Sequence, residues 1–182
     1  FPYTTLFRST WSQTQLDVLK EATTQLISNN AMRLWLIIQD NLGMDSTEEA
    51  LGLYAKADLL IFQNKLDEAN VVLDQISILF PGHTLIDEII FAKALIAEKQ
   101  DKYTEAEVLY LKLIRDFSTD ILADNALINL AKLYEFKLND TAKAKKIYEI
   151  LVLNYTGSLF ANEARKRYRF LRGDVLKEEE VN

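Results

Sequence analysis

Cysteine is absent from the 182-residue chain, and histidine occurs once, at His83. The first absence excludes disulfides and thiolate chemistry but leaves the compartment open, because cysteine-free chains occur on both sides of a membrane. The second leaves no Ser/His/Asp arrangement with a choice of base and no imidazole cluster for a metal. Only two prolines and five glycines stand against many Leu, Ala, Ile, Lys and Glu, a balance that favours helix over sheet. No glycine-rich phosphate loop can be assembled. No apolar run approaches the roughly 18 residues that span a bilayer, so direct membrane insertion is not expected. Positive charge is also short: the net charge is -6, which lacks the basic footprint of a nucleic-acid or anionic-lipid binder.

What is present repeats itself. Lys65-Leu66-Asp67-Glu68-Ala69 is echoed by Lys102-Tyr103-Thr104-Glu105-Ala106 and by Thr141-Ala142-Lys143-Ala144. The alanines of this series, Ala69, Ala106 and Ala144, are 37 and 38 residues apart, as are the aromatics Phe80, Phe117 and Tyr155. A second alanine series, Ala57, Ala94 and Ala131, is spaced by 37 both times. Self-similarity at this period marks a solenoid of helical hairpins, and an all-α fold is expected.

In chain order, residues 1–9 open on Phe1 and fit neither a signal peptide nor a helix. They resemble translated sequencing-adapter sequence, so the native chain is expected to begin near Thr10 as the C-terminal part of a longer protein. Over 10–45, Leu16, Leu19, Ala22 and Leu26, then Met32, Leu34, Trp35, Ile37 and Ile38, recur at helical spacing. This predicts a helical pair, a degenerate repeat, or one helix bent at Asn29-Asn30. Gly43 reads as a helix stop and Ser46-Thr47-Glu48-Glu49 as a capping box. Three hairpins follow over 46–82, 83–119 and 120–157. Their predicted helices are 47–63 with 67–79, 85–99 with 104–116, and 121–136 with 141–154. Thr84 and Asp87 are expected to cap the second hairpin, and Ser158 to open a capping helix over 158–172, with 174–182 an acidic tail.

Antiparallel helices approach to about 8–10 Å only where small side chains meet. Ala57 should therefore face Ala69, Ala94 should face Ala106, and Ala131 should face Ala144. Leu53, Ile90 and Leu127, with Leu73, Tyr110 and Tyr148, supply the large partners. The order Leu53, Ala57, Ala69, Leu73 and Pro81 resembles the tetratricopeptide repeat, over about residues 47–171. Units of 37 and 38 residues and the replacement of Pro81 by Ser118 and Thr156 depart from its pattern. The longer unit and the terminal Ala164-Arg165-Lys166-Arg167 helix resemble the repeats of bacterial outer-membrane assembly lipoproteins and of the Tol–Pal coordinator. That resemblance implies a right-handed α-solenoid of antiparallel hairpins and a periplasmic or cell-envelope location, with a cytoplasmic location as the alternative.

The resemblance also implies a concave groove on the first helix of each hairpin, lined by Tyr54, Asp58 and Ile61, by Phe91, Leu95 and Glu98, and by Ile128, Lys132 and Glu135. A strip of Tyr54, Phe91 and Ile128 rimmed by charge suits a protein or peptide partner. The competing expectation is that these three pack against a neighbouring helix. Receptors of this family that clamp a carboxylate use Lys, Asn and Arg, whereas this groove carries Asp58, Leu95 and Lys132, so that ligand class is not expected. The basic run from Arg165 to Arg172 reads either as an RNA or lipid patch or as the polar face of a capping helix whose inner face is Ala164, Tyr168 and Leu171. His83 reads as a turn residue. The carboxylate pairs Glu48/Glu49 and Asp87/Glu88 sit in first helical turns, and nothing in the sequence positions a pair for hydrolysis. The expected function is a non-catalytic interaction scaffold without cofactor or metal. The alternative is a structural segment that closes a longer solenoid or forms a homo-oligomer through Trp11, Leu34 and Trp35.

Overall fold

The computed structural model describes residues 2–21, 32, 34–39 and 49–174. Every regular element among them is helical: α1 (Pro2–Lys20), α2 (Glu49–Phe62), α3 (Leu66–Leu79), α4 (Ile86–Lys99), α5 (Tyr103–Asp116), α6 (Ala123–Phe136), α7 (Thr141–Asn154) and α8 (Ala161–Arg172), with a further helical stretch over 34–39. From α2 to α7 each helix is 14 residues long. The chain forms two compact units, Phe1–Ile89 and Ile90–Asn182, with the boundary inside α4. In the first unit α2 packs on α3; in the second, α5 packs on α6, α6 on α7 and α7 on α8. In each of these pairs neighbours in sequence are neighbours in space, as expected of a helical-repeat solenoid.

Burial follows the two alanine series. Ala57, Ala69, Ala94, Ala106, Ala131 and Ala144 are all completely buried. In the second unit Ala94, Ala106, Ala131 and Ala144 share one core with Tyr110, Tyr148, Leu113 and Leu151. Small side chains allow helix backbones to approach closely, and larger residues fill the space around them.

The turns repeat as closely as the helices. Between the helices of each hairpin one residue takes the left-handed conformation: Asn64 (φ 60°), Asp101 (φ 58°) and Asn139 (φ 54°). Asn and Asp are the non-glycine residues that best tolerate it. The Lys65 and Lys102 amides then close onto the carbonyls of Leu60 and Ala97, both at 2.9 Å. Between hairpins, the carbonyls of Phe80, Phe117 and Tyr155 accept from the amides of His83, Asp120 and Ser158 at 3.1, 3.1 and 2.9 Å. The single extra residue of the third unit lies in its hairpin turn, residues 137–140 against 63–65 and 100–102. There the Asp140 amide reaches back to the Tyr134 carbonyl at 2.8 Å. Asp140 in turn accepts from the Lys143 amide at 3.0 Å, a side-chain cap on α7.

Three local expectations change. Residues 2–9 are helical, within α1; proline fits a first helical turn, where its missing N–H would have had no partner. The helix after His83 starts at Ile86, and the Leu85 amide donates to His83 Nδ1 at 3.2 Å. Ser158 stands three residues before α8, its hydroxyl accepting from the Phe160 amide at 3.1 Å; it shapes the turn and Phe160 occupies the cap. The Asn29-Asn30 bend, Gly43, the box at 46–48 and the tail from 175 lie outside the described residues.

Candidate partner-binding surface

The nine groove residues do not share one environment. Tyr54 (4% exposed), Phe91 (5%) and Ile128 (2%) are core residues, and Ile61 is buried too. The apolar strip is therefore not presented to solvent; packing is what these three side chains do. Phe91 lies 6.1 Å from the Tyr110 ring, tilted against it. The physical reason is that a helix in a repeat array is flanked on more than one side, so its buried stripe is wider than the seam of an isolated hairpin. Asp58, Leu95, Glu98 and Lys132 are half-exposed. Lys132 reaches α8 and pairs with Glu163 at 2.8 Å.

Glu135 is buried and fully engaged. The Tyr148 hydroxyl donates to it at 2.9 Å, and Arg167 of α8 donates to both its carboxylate oxygens. The Arg167 guanidinium also lies over the Phe136 and Phe170 rings, at 5.2 and 5.1 Å. In the second hairpin the Tyr110 hydroxyl donates to Glu98, and Asn129 Nδ2 donates to the Tyr110 oxygen at 3.4 Å. Burial raises Glu98 above the ordinary glutamate range, against the opposing effects of Tyr110 and Lys137. Burial likewise pushes Tyr110 and Tyr148 up. A third tyrosine, Tyr134, donates to Glu107 at 2.7 Å, and Lys143 pairs with the same carboxylate at 3.2 Å while lying over the Tyr134 ring.

These tyrosine–carboxylate pairs were hidden in the sequence by separation, since partners lie 12, 13 and 27 residues apart on different helices. A signal was nevertheless there. The register positions that read Glu98/Tyr110 and Glu135/Tyr148 read Ile61/Leu73 in the first hairpin, so polarity changes at both positions together.

The basic run is an internal device for the most part. Ala164 is buried in the core, and Tyr168 and Leu171 pack partly against it. Arg165 bonds Asn162, Arg167 bonds Glu135, and Arg169 and Arg172 converge on Asp174 at 3.6 and 2.5 Å. Gly173, at φ 92°, turns the chain so that Asp174 can meet them. Of the proposed oligomer surface, Trp11 is exposed, while Trp35 is covered by the Lys20 amine at 3.9 Å.

Among the described residues no group of three or more His, Asp or Glu side chains could hold a metal ion, and no helix is long and apolar enough to cross a membrane. Residues 125–158, from within α6 to the turn before α8, match the family model of the tetratricopeptide repeat. No curated protein matches the chain.

Proposed function

We propose, from the tetratricopeptide repeat matched at residues 125–158, that the chain is a protein-interaction scaffold that engages a partner protein or peptide through the first helices of its hairpins. The observation that carries this reading is the recurrence of a partly exposed side chain at one register within the second unit, Leu95 on α4 and Lys132 on α6, with half-exposed Glu98 one turn from Leu95. Rigid helices that expose a few side chains at fixed intervals suit recognition of an extended or helical segment. The 37- to 38-residue period and the Phe80-Pro81 closure support a cell-envelope type of array.

The paired substitution Leu95→Gln and Lys132→Ala tests it, because neither side chain is buried. Quantitative affinity capture should lose specific partners while the protein stays folded, its melting temperature lowered only modestly by the loss of Leu95 packing and of the Lys132–Glu163 pair. An unchanged partner set with an intact fold removes the first-helix face from consideration.

A structural role is the second reading, favoured by α8, which binds the core through Ala164, Tyr168 and Leu171 and is tied down by Arg167. Light scattering over a concentration series addresses its oligomeric version. A monomer throughout excludes a homodimer built on Trp11.

A further inference from the structure

The third hairpin shows how its own inner face is filled, and the second hairpin repeats the site without the filling group. Glu98 and Glu135 occupy one register on α4 and α6, and Tyr110 and Tyr148 one register on α5 and α7. Arg167 and Asn129 are likewise equivalent: each is the seventh residue of its helix, counted from Ala161 and Ala123. In the third hairpin all three members meet, with tyrosine hydroxyl and guanidinium both on the Glu135 carboxylate. In the second, Tyr110 binds Glu98, but Asn129 is too short to follow Arg167 and reaches only the Tyr110 oxygen, at 3.4 Å.

Glu98 is thus a half-exposed carboxylate held in place by a buried tyrosine. Among the described residues it forms no ion pair. Lys137 acts on it only at a distance, its amine lying over the Tyr103 ring at 5.5 Å. Where Phe136 and Phe170 flank Arg167, the equivalent positions are Lys99 and Lys132, and Lys132 is already paired with Glu163. The stacking of the third hairpin is therefore missing, and the attraction at Glu98 comes from the fork of a carboxylate alone. A planar guanidinium meets that fork with two parallel N–H bonds, which an ammonium cannot do. Glu98 also lies one helical turn from Leu95, and Asn129 one turn from Lys132.

The geometry points to an arginine of the partner as the group that completes this site, its guanidinium donating to Glu98 beside Tyr110 and Asn129 as Arg167 donates to Glu135. This rests on the first-helix face being the binding surface. The chemistry is that of a basic segment of a protein, consistent with a chain of net charge -6.

N-acetyl-L-arginine amide, titrated into the full chain and followed by backbone amide NMR, tests it. Saturable shifts should centre on Glu98, Tyr110 and Asn129, and N-acetyl-L-lysine amide should bind at least several-fold more weakly. Glu98→Gln should weaken the arginine response about tenfold, whereas Glu105→Gln, which removes the same charge from an exposed site, should not. Asn129→Arg supplies the missing guanidinium in the chain itself and should abolish the response while raising the melting temperature. A response unchanged in Glu98→Gln, or retained in Asn129→Arg, overturns the proposal. Partners that the Leu95→Gln/Lys132→Ala variant loses but Asn129→Arg keeps would show a binding face without the arginine site. Partners kept by both variants would remove the face as well.

Discussion

Phe91 and Glu98 sit two helical turns apart on α4, and burial acts on them in opposite ways. Phe91 gains by leaving water, and its ring packs on Tyr110. Phe91→Ala should cost about 3–5 kcal/mol in urea denaturation, as for other aromatic truncations in a core. A cost below about 1 kcal/mol would mean that the side chain is solvated in solution. Glu98 loses by the same transfer, because desolvation disfavours its charged form and raises its pKa. Its folded pKa lies above its unfolded value, so its contribution to stability is fully present below the unfolded pKa and declines as pH rises through the folded one. Glu98→Gln should accordingly raise the melting temperature at neutral pH and change it little in mild acid. A variant less stable than the parent at neutral pH would show that the bond from Tyr110 outweighs the burial of charge.

At the scale of the element, the alanine spacing and the aromatic closures located the helices in advance, because crossings need small residues and these recur at the period of the repeat. The exposure of the first-helix positions was not legible. Tyr54, Phe91 and Ile128 have the same spacing whether they line a groove or a core, and only the neighbouring helices decide it. The ties between helices were also out of reach, since a hydroxyl from α7 and a guanidinium from α8 meet on Glu135 only once the helices are stacked. Those ties predict local behaviour. Glu135→Ala removes the acceptor of both Tyr148 and Arg167 and should cost about 3 kcal/mol, toward the low end for a broken buried pair because Arg167 is partly solvated. Hydrogen exchange should accelerate in α8 before α6; uniform acceleration would show that α8 does not open separately. In the turns, Asn64→Val should cost about 1–2 kcal/mol in a left-handed position, and Asn64→Gly far less. Equal effects of the two would mean that the turn relaxes.

For the whole molecule, charge is the property that composition conveys best. The chain is acidic, and the α8 arginines Arg165, Arg167, Arg169 and Arg172 are bonded to Asn162, Glu135 and Asp174. Retention on immobilised heparin should therefore be absent at physiological ionic strength. Elution only at high salt would show that the α8 arginines release their partners to an external polyanion. The hairpin turn at Lys137–Asp140 has a consequence of another kind. One residue more than its counterparts leaves both flanking helices at 14 residues, and Leu138 rests against the core. Insertions at this bend are absorbed where they occur. Lineages of such arrays can then gain or lose single codons there without displacing the alanines, and the same bend offers a place to splice in a reporter loop while the stacking of the helices is conserved.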